Sequence, residues 1–376
     1  MGSRTTRNRY SRRAFLASLA VAARAAETTA KGRILPPVAV RYPDPATEFT
    51  VVRLTDPQFT SSLPAIGNRG LTSRQLLYAS DLDGKWQAYR MDLKSKESRQ
   101  LTDAENLDAS SIALLANERG FWHFDGPSLV ETSFSSLKPR VAYKVPVGFD
   151  KLPGASYSDD GRYAAFIEKG PSGYRLRLLH TQSGAAATLL ESAAELSGPL
   201  LRPRDTSLMY RSGGELWSIR FNGKENRRLP LAEGQTPQVQ WAADGHAVEY
   251  LNRPADPHKL TALREWTPGA GAGQGNDAKI ADTSQFVRFH ANADASVYVG
   301  ASGSKASPYL LLLIRAGRRE LAVAEHRASD PALVAADFAP NSQFVVFVSD
   351  RHGKPAIYWI AVDKLVAETD SSESGN

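Results

Sequence analysis

The sequence contains no cysteine, so no disulfide holds the fold, no residue is available for a lipoprotein anchor, and the core must rest on packing alone. Long hydrophobic runs are missing too. The one apolar run near the start is short and rich in alanine, too short to span a bilayer. No stretch keeps a helical period of 3.6, which argues against a helical protein. Among catalytic motifs, no His-x-His or His-Glu-x-x-His pair occurs, and no Gly-x-Ser-x-Gly, which with the lack of an α/β domain excludes a hydrolase of the prolyl-oligopeptidase type. The Gly-rich stretch at residues 267–279, TPGAGAGQGNDAK, has no Gly-Lys-Ser/Thr ending and reads as a hairpin tip, not a phosphate cradle. What is present is globular in balance: 42% hydrophobic and 23% charged residues.

Residues 1–25 read as a twin-arginine export signal. Arg12 and Arg13 precede Phe15 and Leu16, and the apolar run ends in Ala23-Arg24-Ala25, a small-x-small cleavage pattern. The expectation is a periplasmic or secreted protein, carried across already folded. The leader also explains the charge. Arg4, Arg7, Arg9, Arg12, Arg13 and Arg24 lie in it with no acid, and taking these six from the 46 basic residues leaves 40 against 40 acidic ones. The net charge of +6 therefore belongs to the export signal, and no nucleic-acid partner is expected. Residues 26–47 read as a linker and residues 366–376 as a disordered tail.

Between them the chain repeats itself about every 44 residues. LTSRQLLY at Leu71, LLANERGFWHF at Leu114, YSDDGRYAAF at Tyr157, LRPRDTSLMY at Leu201, WAADGHAVEY at Trp241, FHANADASVY at Phe289 and FAPNSQFVVF at Phe338 each place an apolar anchor before a polar turn and a short apolar strand. Further alternating runs follow each anchor. Four short strands per repeat and seven anchors predict an all-β, seven-bladed β-propeller over residues 48–365. The last repeat supplies only three strands before the polar tail, whereas EFTVVRLTD, residues 48–56, precedes the first anchor with no blade of its own. The N-terminal strand is thus expected to complete the last blade and close the ring.

The first blade, VVRLTDPQFTSSLPAIGNRGLTSRQLLYASDLDGKWQAYRMDLKSKESRQLT, together with the closing VVFVSDRHGKPAIYWIAVDKL, resembles the oligogalacturonate lyase family and, more distantly, TolB-like propellers. The resemblance implies β-elimination of short pectin-derived uronates, with a divalent metal held in the central channel by histidines and a glutamine. A base must remove the weakly acidic proton beside the carboxylate while a cation neutralises the developing charge. At the matched positions, however, this chain departs from the pattern. Leu333, Val334, Ala335 and Ala336 replace a His-Pro-His-Pro stretch, Asp330 falls at the glutamine position, and Gln238 and Arg288 fall where the fifth and sixth blades carry histidine. Gly198-Pro199 replaces the His-Pro of the fourth blade, and only Arg202 is retained. No metal or other cofactor is therefore expected.

Seven histidines are scattered along the chain: His123, His180, His246, His258, His290, His326 and His352. Of these, His290 alone falls near a channel-facing segment, which makes it, with Arg202 and Arg288, a candidate catalytic residue. The candidate ligand-binding set at the channel mouth is Asn68, Arg69, Lys151, Gln238, Arg288 and Asp330, with Asp108 beside them. A polar channel mouth is ordinary for a wet propeller. Arg69, Arg202 and Arg288 further suit bidentate contacts to the carboxylates of an acidic oligosaccharide. Three functions stay open: a monomeric binder of acidic oligosaccharides, a divergent lyase, and a propeller that binds an envelope protein.

Overall fold

The computed structural model describes residues 30–269 and 275–365. The export signal, the C-terminal tail and the tip of the Gly-rich hairpin lie outside the described residues. Seven antiparallel sheets succeed one another along the described chain, and each is a blade built from its inner strand outward, with N-terminal segments adding outer strands to blades 7 and 1. Blade 4 shows the plan: Leu196–Leu201, Ser207–Ser212, Glu215–Arg220 and Arg227–Arg228, each paired with the next. Alternating side chains let each sheet bury both faces against its neighbours.

The core follows from that geometry. It is divided into seven apolar clusters, one per seam between adjacent blades. Leu77 and Ala88 of blade 1 pack with Ile112 and Phe121 of blade 2, and so on around the ring. The ring closes where Val52 and Val346 of blade 7 meet Leu76 and Tyr89 of blade 1.

Closure uses the N-terminal strand, as the sequence predicts. Thr50–Arg53 pairs with Ala356–Ala361 as the fourth strand of blade 7, with Val51 opposite Ile360 and Arg53 opposite Tyr358. The linker expected over residues 26–47 is corrected, however. Val40–Pro43 adds a fifth strand to blade 7, and Ile34–Leu35 adds one to blade 1, so the segment straddles the seam. It is held by Asp44, which is fully buried and accepts from Glu325 N (3.1 Å) and Arg351 Nη1 (3.3 Å). Four prolines and short runs hide these strands in the sequence, and although Val40–Pro43 pairs with the nearby Thr50–Arg53, Ile34–Leu35 pairs with Ser98–Gln100 more than 60 residues away.

One hydrogen bond fixes the register of every blade after the first. The residue that follows the inner strand donates its N–H to the carbonyl five residues later: Leu115 to Gly120, Ser158 to Tyr163, Arg202 to Ser207, Ala242 to Ala247, Asn292 to Val297 and Ala339 to Phe344. The turn needs left-handed backbone near its end, supplied by Gly161 and Gly245 and taken by Glu118, Ala295 and Ser342 at some cost. By this bond the anchor of blade 6 is Ala291 and not Phe289. The aromatic Phe289 draws the sequence pattern two residues early.

Candidate functional site

With the register fixed, inner-strand residues line the axis in two rings. Three residues before each anchor stand Asn68, Ser111, Gly154, Gly198, Gln238, Arg288 and Ala335; one residue before stand Gly70, Ala113, Ser156, Leu200, Gln240, His290 and Asp337. Period-two alternation puts both rings on the same side of their strands. The channel they bound comprises two chambers. The upper one, about 450 Å³, is lined by six of the seven upper-ring residues together with Arg211. The lower one, about 390 Å³, is lined by Gln240, Trp241, Arg69, Asp159 and Asn292. Asn68, Leu200, His290 and Asp337 line both and form the waist between them.

The candidates separate on this frame. Arg288 lines the upper chamber, donates Nε to Ala332 O (2.6 Å), and has its pKa lowered by burial, against which the nearby Asp330 works. Gln238 lines the same chamber, but its amide is spent on blade 6, with Nε2 donating to Phe289 O (2.5 Å) and Oε1 accepting from Phe289 N (3.0 Å). Asn68 at the waist donates Nδ2 to Ala155 O (2.8 Å), while its buried Oδ1 has no partner. Arg69 belongs to the lower chamber and pairs with the exposed Glu118 (2.5 Å).

Three candidates lie outside both chambers. Lys151 is buried against Asp108, which also accepts from Gly154 N (2.8 Å). Burial works against the Asp108 charge, yet the Lys151 ammonium and the neighbouring hydrogen bonds hold its carboxyl below the ordinary range. The pair ties blade 2 to blade 3. Arg202 follows the blade 4 anchor, donates Nε to Gly245 O (2.7 Å), pairs with Asp205 (3.2 Å) and covers Trp241. It ties blade 4 to blade 5. Asp330 caps the short 3-10 turn Pro331–Leu333 through Ala332 N (2.9 Å).

Two channel-lining positions escape the sequence pattern. Arg211 sits on the second strand of blade 4, where no inner-strand rule would seek it, yet it lines the upper chamber and donates to Thr236 O (2.6 Å). Burial lowers its pKa as well. Asp337 was hidden by the misplaced anchor of blade 6. Once Ala291 is aligned with Phe338, His290 and Asp337 become equivalent positions on adjacent blades, and His290 Nδ1 lies 3.3 Å from Asp337 Oδ1. Burial raises the Asp337 pKa, opposed by His290. The other buried histidines have structural settings: His123 stacks on Phe121, and His326 contacts Ser302 O at 2.9 Å.

The residues present do not fit the divalent metal that the resemblance implies. In the upper ring Gly198, Arg288 and Ala335 offer no side-chain atom that binds a cation, and both heteroatoms of the Gln238 amide are already bonded. Among the described residues no group of three or more His, Asp or Glu converges on one point.

Comparison with known proteins agrees with the fold and the resemblance. No protein-family model matches the chain. The oligogalacturonide lyase of Pectobacterium atrosepticum is 25% identical across 90% of this chain and 99% of its own length. The oligogalacturonate lyase of Dickeya dadantii is 24% identical across the same shares. A solved structure of an oligogalacturonate lyase in complex with manganese matches with a TM-score of 0.80 over 88% of this chain and 98% of that one, at 21% identity. No helix among the described residues is long and apolar enough to cross a membrane. The chain is an oligogalacturonate lyase-like seven-bladed β-propeller.

Proposed function

We propose that the protein binds acidic oligosaccharides, pectin-derived uronates above all, in the upper chamber without a metal. One observation carries this reading. Arg288 and Arg211 both line that chamber, both are disfavoured by burial, and among the described residues neither forms a direct ion pair, Asp330 acting on Arg288 only from farther away. A guanidinium kept from water without a directly paired carboxylate carries a cost that an incoming carboxylate relieves, and each charge-assisted pair contributes about 1.5–3 kcal/mol. Apolar groups of Pro64, Pro199 and Leu333 around the chamber suit the less polar face of a sugar ring. Export by the twin-arginine route and a monomeric state complete the proposal and match a task on saccharides outside the cytoplasm.

The test is a thermal-shift and calorimetric titration with galacturonate oligomers and with neutral galactose oligomers of equal length, in the presence of EDTA. Uronates are expected to raise the melting temperature and neutral oligomers are not. Equal shifts from both, or a uronate shift that disappears with EDTA, would overturn the reading. A second reading, an enzyme that cleaves what it binds, is favoured by the His290–Asp337 pair at the chamber floor.

A further inference from the structure

We propose that His290, positioned by Asp337, is the general base of a metal-free β-elimination at the waist of the channel. The inference rests on the uronate reading of the upper chamber. Its first support is placement. His290 follows Arg288 by two residues on one strand, and Asp337 follows Ala335 in the same way on the next blade. A two-residue step keeps the same face and moves about 6.6–7 Å along the channel. The chemistry-bearing pair therefore stands one step deeper than the positions at which the upper ring presents glycine, alanine and arginine.

The second support is the state of the imidazole. Its Nδ1 is buried, without a hydrogen-bond partner, and 3.3 Å from the Asp337 carboxylate. The side chain is nonetheless 30% exposed, so the edge that meets the channel is the other one, which carries Nε2. A carboxylate beside Nδ1 favours the tautomer that leaves Nε2 free to accept a proton, and a loose contact of this kind tightens when substrate fills a site.

The third support is the setting. Asn68 and Gln240 are 8% and 5% exposed, and their amide nitrogens are committed to Ala155 O (2.8 Å) and Glu249 Oε2 (2.9 Å). Their oxygens, Asn68 Oδ1 and Gln240 Oε1, are buried without a partner. Both oxygens are closed off from solvent, so a small turn of each amide toward the channel is what would present them to sugar hydroxyls.

The step balances without a cofactor. With the uronate carboxylate on Arg288, Nε2 of His290 takes the proton from the ring carbon next to the carboxylate. The electrons of that C–H bond form a C=C bond to the neighbouring carbon, whose bond to the glycosidic oxygen breaks. That oxygen leaves with the electron pair and is protonated by solvent water. Nothing is oxidised or reduced.

The experiment uses the full chain with trigalacturonate in EDTA, following ultraviolet absorbance of the unsaturated product beside the melting shift. Wild type is expected to give both signals. His290→Gln is expected to keep the melting shift and lose about 10²–10⁴-fold in rate, the usual worth of a general base. Asp337→Asn is expected to lower kcat with KM little changed, and Asp337→Glu to restore part of it, which gives a second route should H290Q fold poorly. A melting shift without absorbance in wild type would sink the catalytic inference and leave the binding reading standing. Absorbance unaffected by H290Q, or seen only with added divalent metal, would also sink it. Silence in both signals would remove the uronate reading and this inference together.

Discussion

The seams between blades and the wall of the channel both bury polar groups, but they treat them in opposite ways. At the seams the main buried charges are answered. Asp44 meets Arg351 and backbone donors, and Lys151 meets Asp108. Glu249 accepts from Gln240 (2.9 Å) and from Tyr298 (2.8 Å), and Arg315 joins Tyr298 to Glu265. On the wall, Arg288 and Arg211 have only a carbonyl each, and the Asn68 oxygen and His290 Nδ1 have no partner. Packing around a ring of sheets selects for closed circuits, because a buried orphan weakens the fold directly. Orphans also occur away from the channel, as at Arg53 Nε, Trp122 Nε1 and Trp217 Nε1, but those gathered on the concave wall are where a ligand can complete them.

Breaking a seam should therefore cost stability, and the largest loss is expected where a whole strand is removed. A chain that starts after Asp56 lacks the fourth strand of blade 7 and exposes the edge of Ala356–Ala361. It should fail to melt cooperatively near the wild-type temperature, as read by calorimetry. An unchanged melting transition would mean that the ring does not depend on this closure. Next comes Asp44→Ala, which leaves the 4%-exposed Arg351 guanidinium without its carboxylate. A loss of about 3–5 kcal/mol in chemical denaturation is expected, the range for a buried pair broken on one side.

How far these two regions could be read from sequence follows from what each depends on. The seams rest on alternation and on the anchors Leu114, Tyr157, Leu201 and Trp241, which are local patterns, so blade number and closure were legible. The wall depends on register to a single residue. Phe289 looked like the blade 6 anchor, but the Asn292–Val297 bond makes it Ala291, and that two-residue difference concealed the equivalence of His290 with Asp337. Lys151 and Arg202 were read as wall residues because their partners, Asp108 and the Gly245 carbonyl, are some 40 residues away in the chain and only the blade seam joins them. Arg211 was missed for the converse reason, since a second strand reaches the chamber only where Gly198 leaves space in the first ring.

A subtler probe of a seam is pH. Burial raises the Glu249 pKa above its ordinary value of 4.5, against the hydrogen bonds from Gln240 and Tyr298. A carboxyl raised on folding binds its proton more tightly in the folded state than in the unfolded chain. Its contribution is thus most favourable below the ordinary value and falls as pH rises from there through the folded value, after which it is constant. Glu249→Gln should flatten the fall in melting temperature over that window and change stability at neutral pH by about 1 kcal/mol or less. Asp337 shifts in the same direction, so a residual slope should remain in E249Q and shrink further in the double variant with Asp337→Asn, with Asp159, raised by burial as well, keeping the remainder.

The smallest effect on stability is expected on the wall, and it discriminates best between the two regions when two arginines are compared. Arg288→Ala removes one bond to Ala332 O and a desolvated charge, so the melting temperature without ligand should stay near wild type. The same change should weaken uronate binding by about 10–100-fold, the equivalent of one or two charge-assisted hydrogen bonds. Arg288→Lys should recover only part of that, because an ammonium cannot grip a carboxylate with two parallel bonds. Arg202→Ala should do the reverse. Its guanidinium is held by Gly245 O and Asp205 and covers Trp241, so its loss should lower stability by about 1–2 kcal/mol and leave uronate affinity unchanged. Two arginines of the same chemistry would then differ only in whether the fold has already answered their charge. If Arg202→Ala lost affinity and Arg288→Ala lost stability instead, the division between closed seams and an open wall would be wrong at the place where it is drawn most sharply.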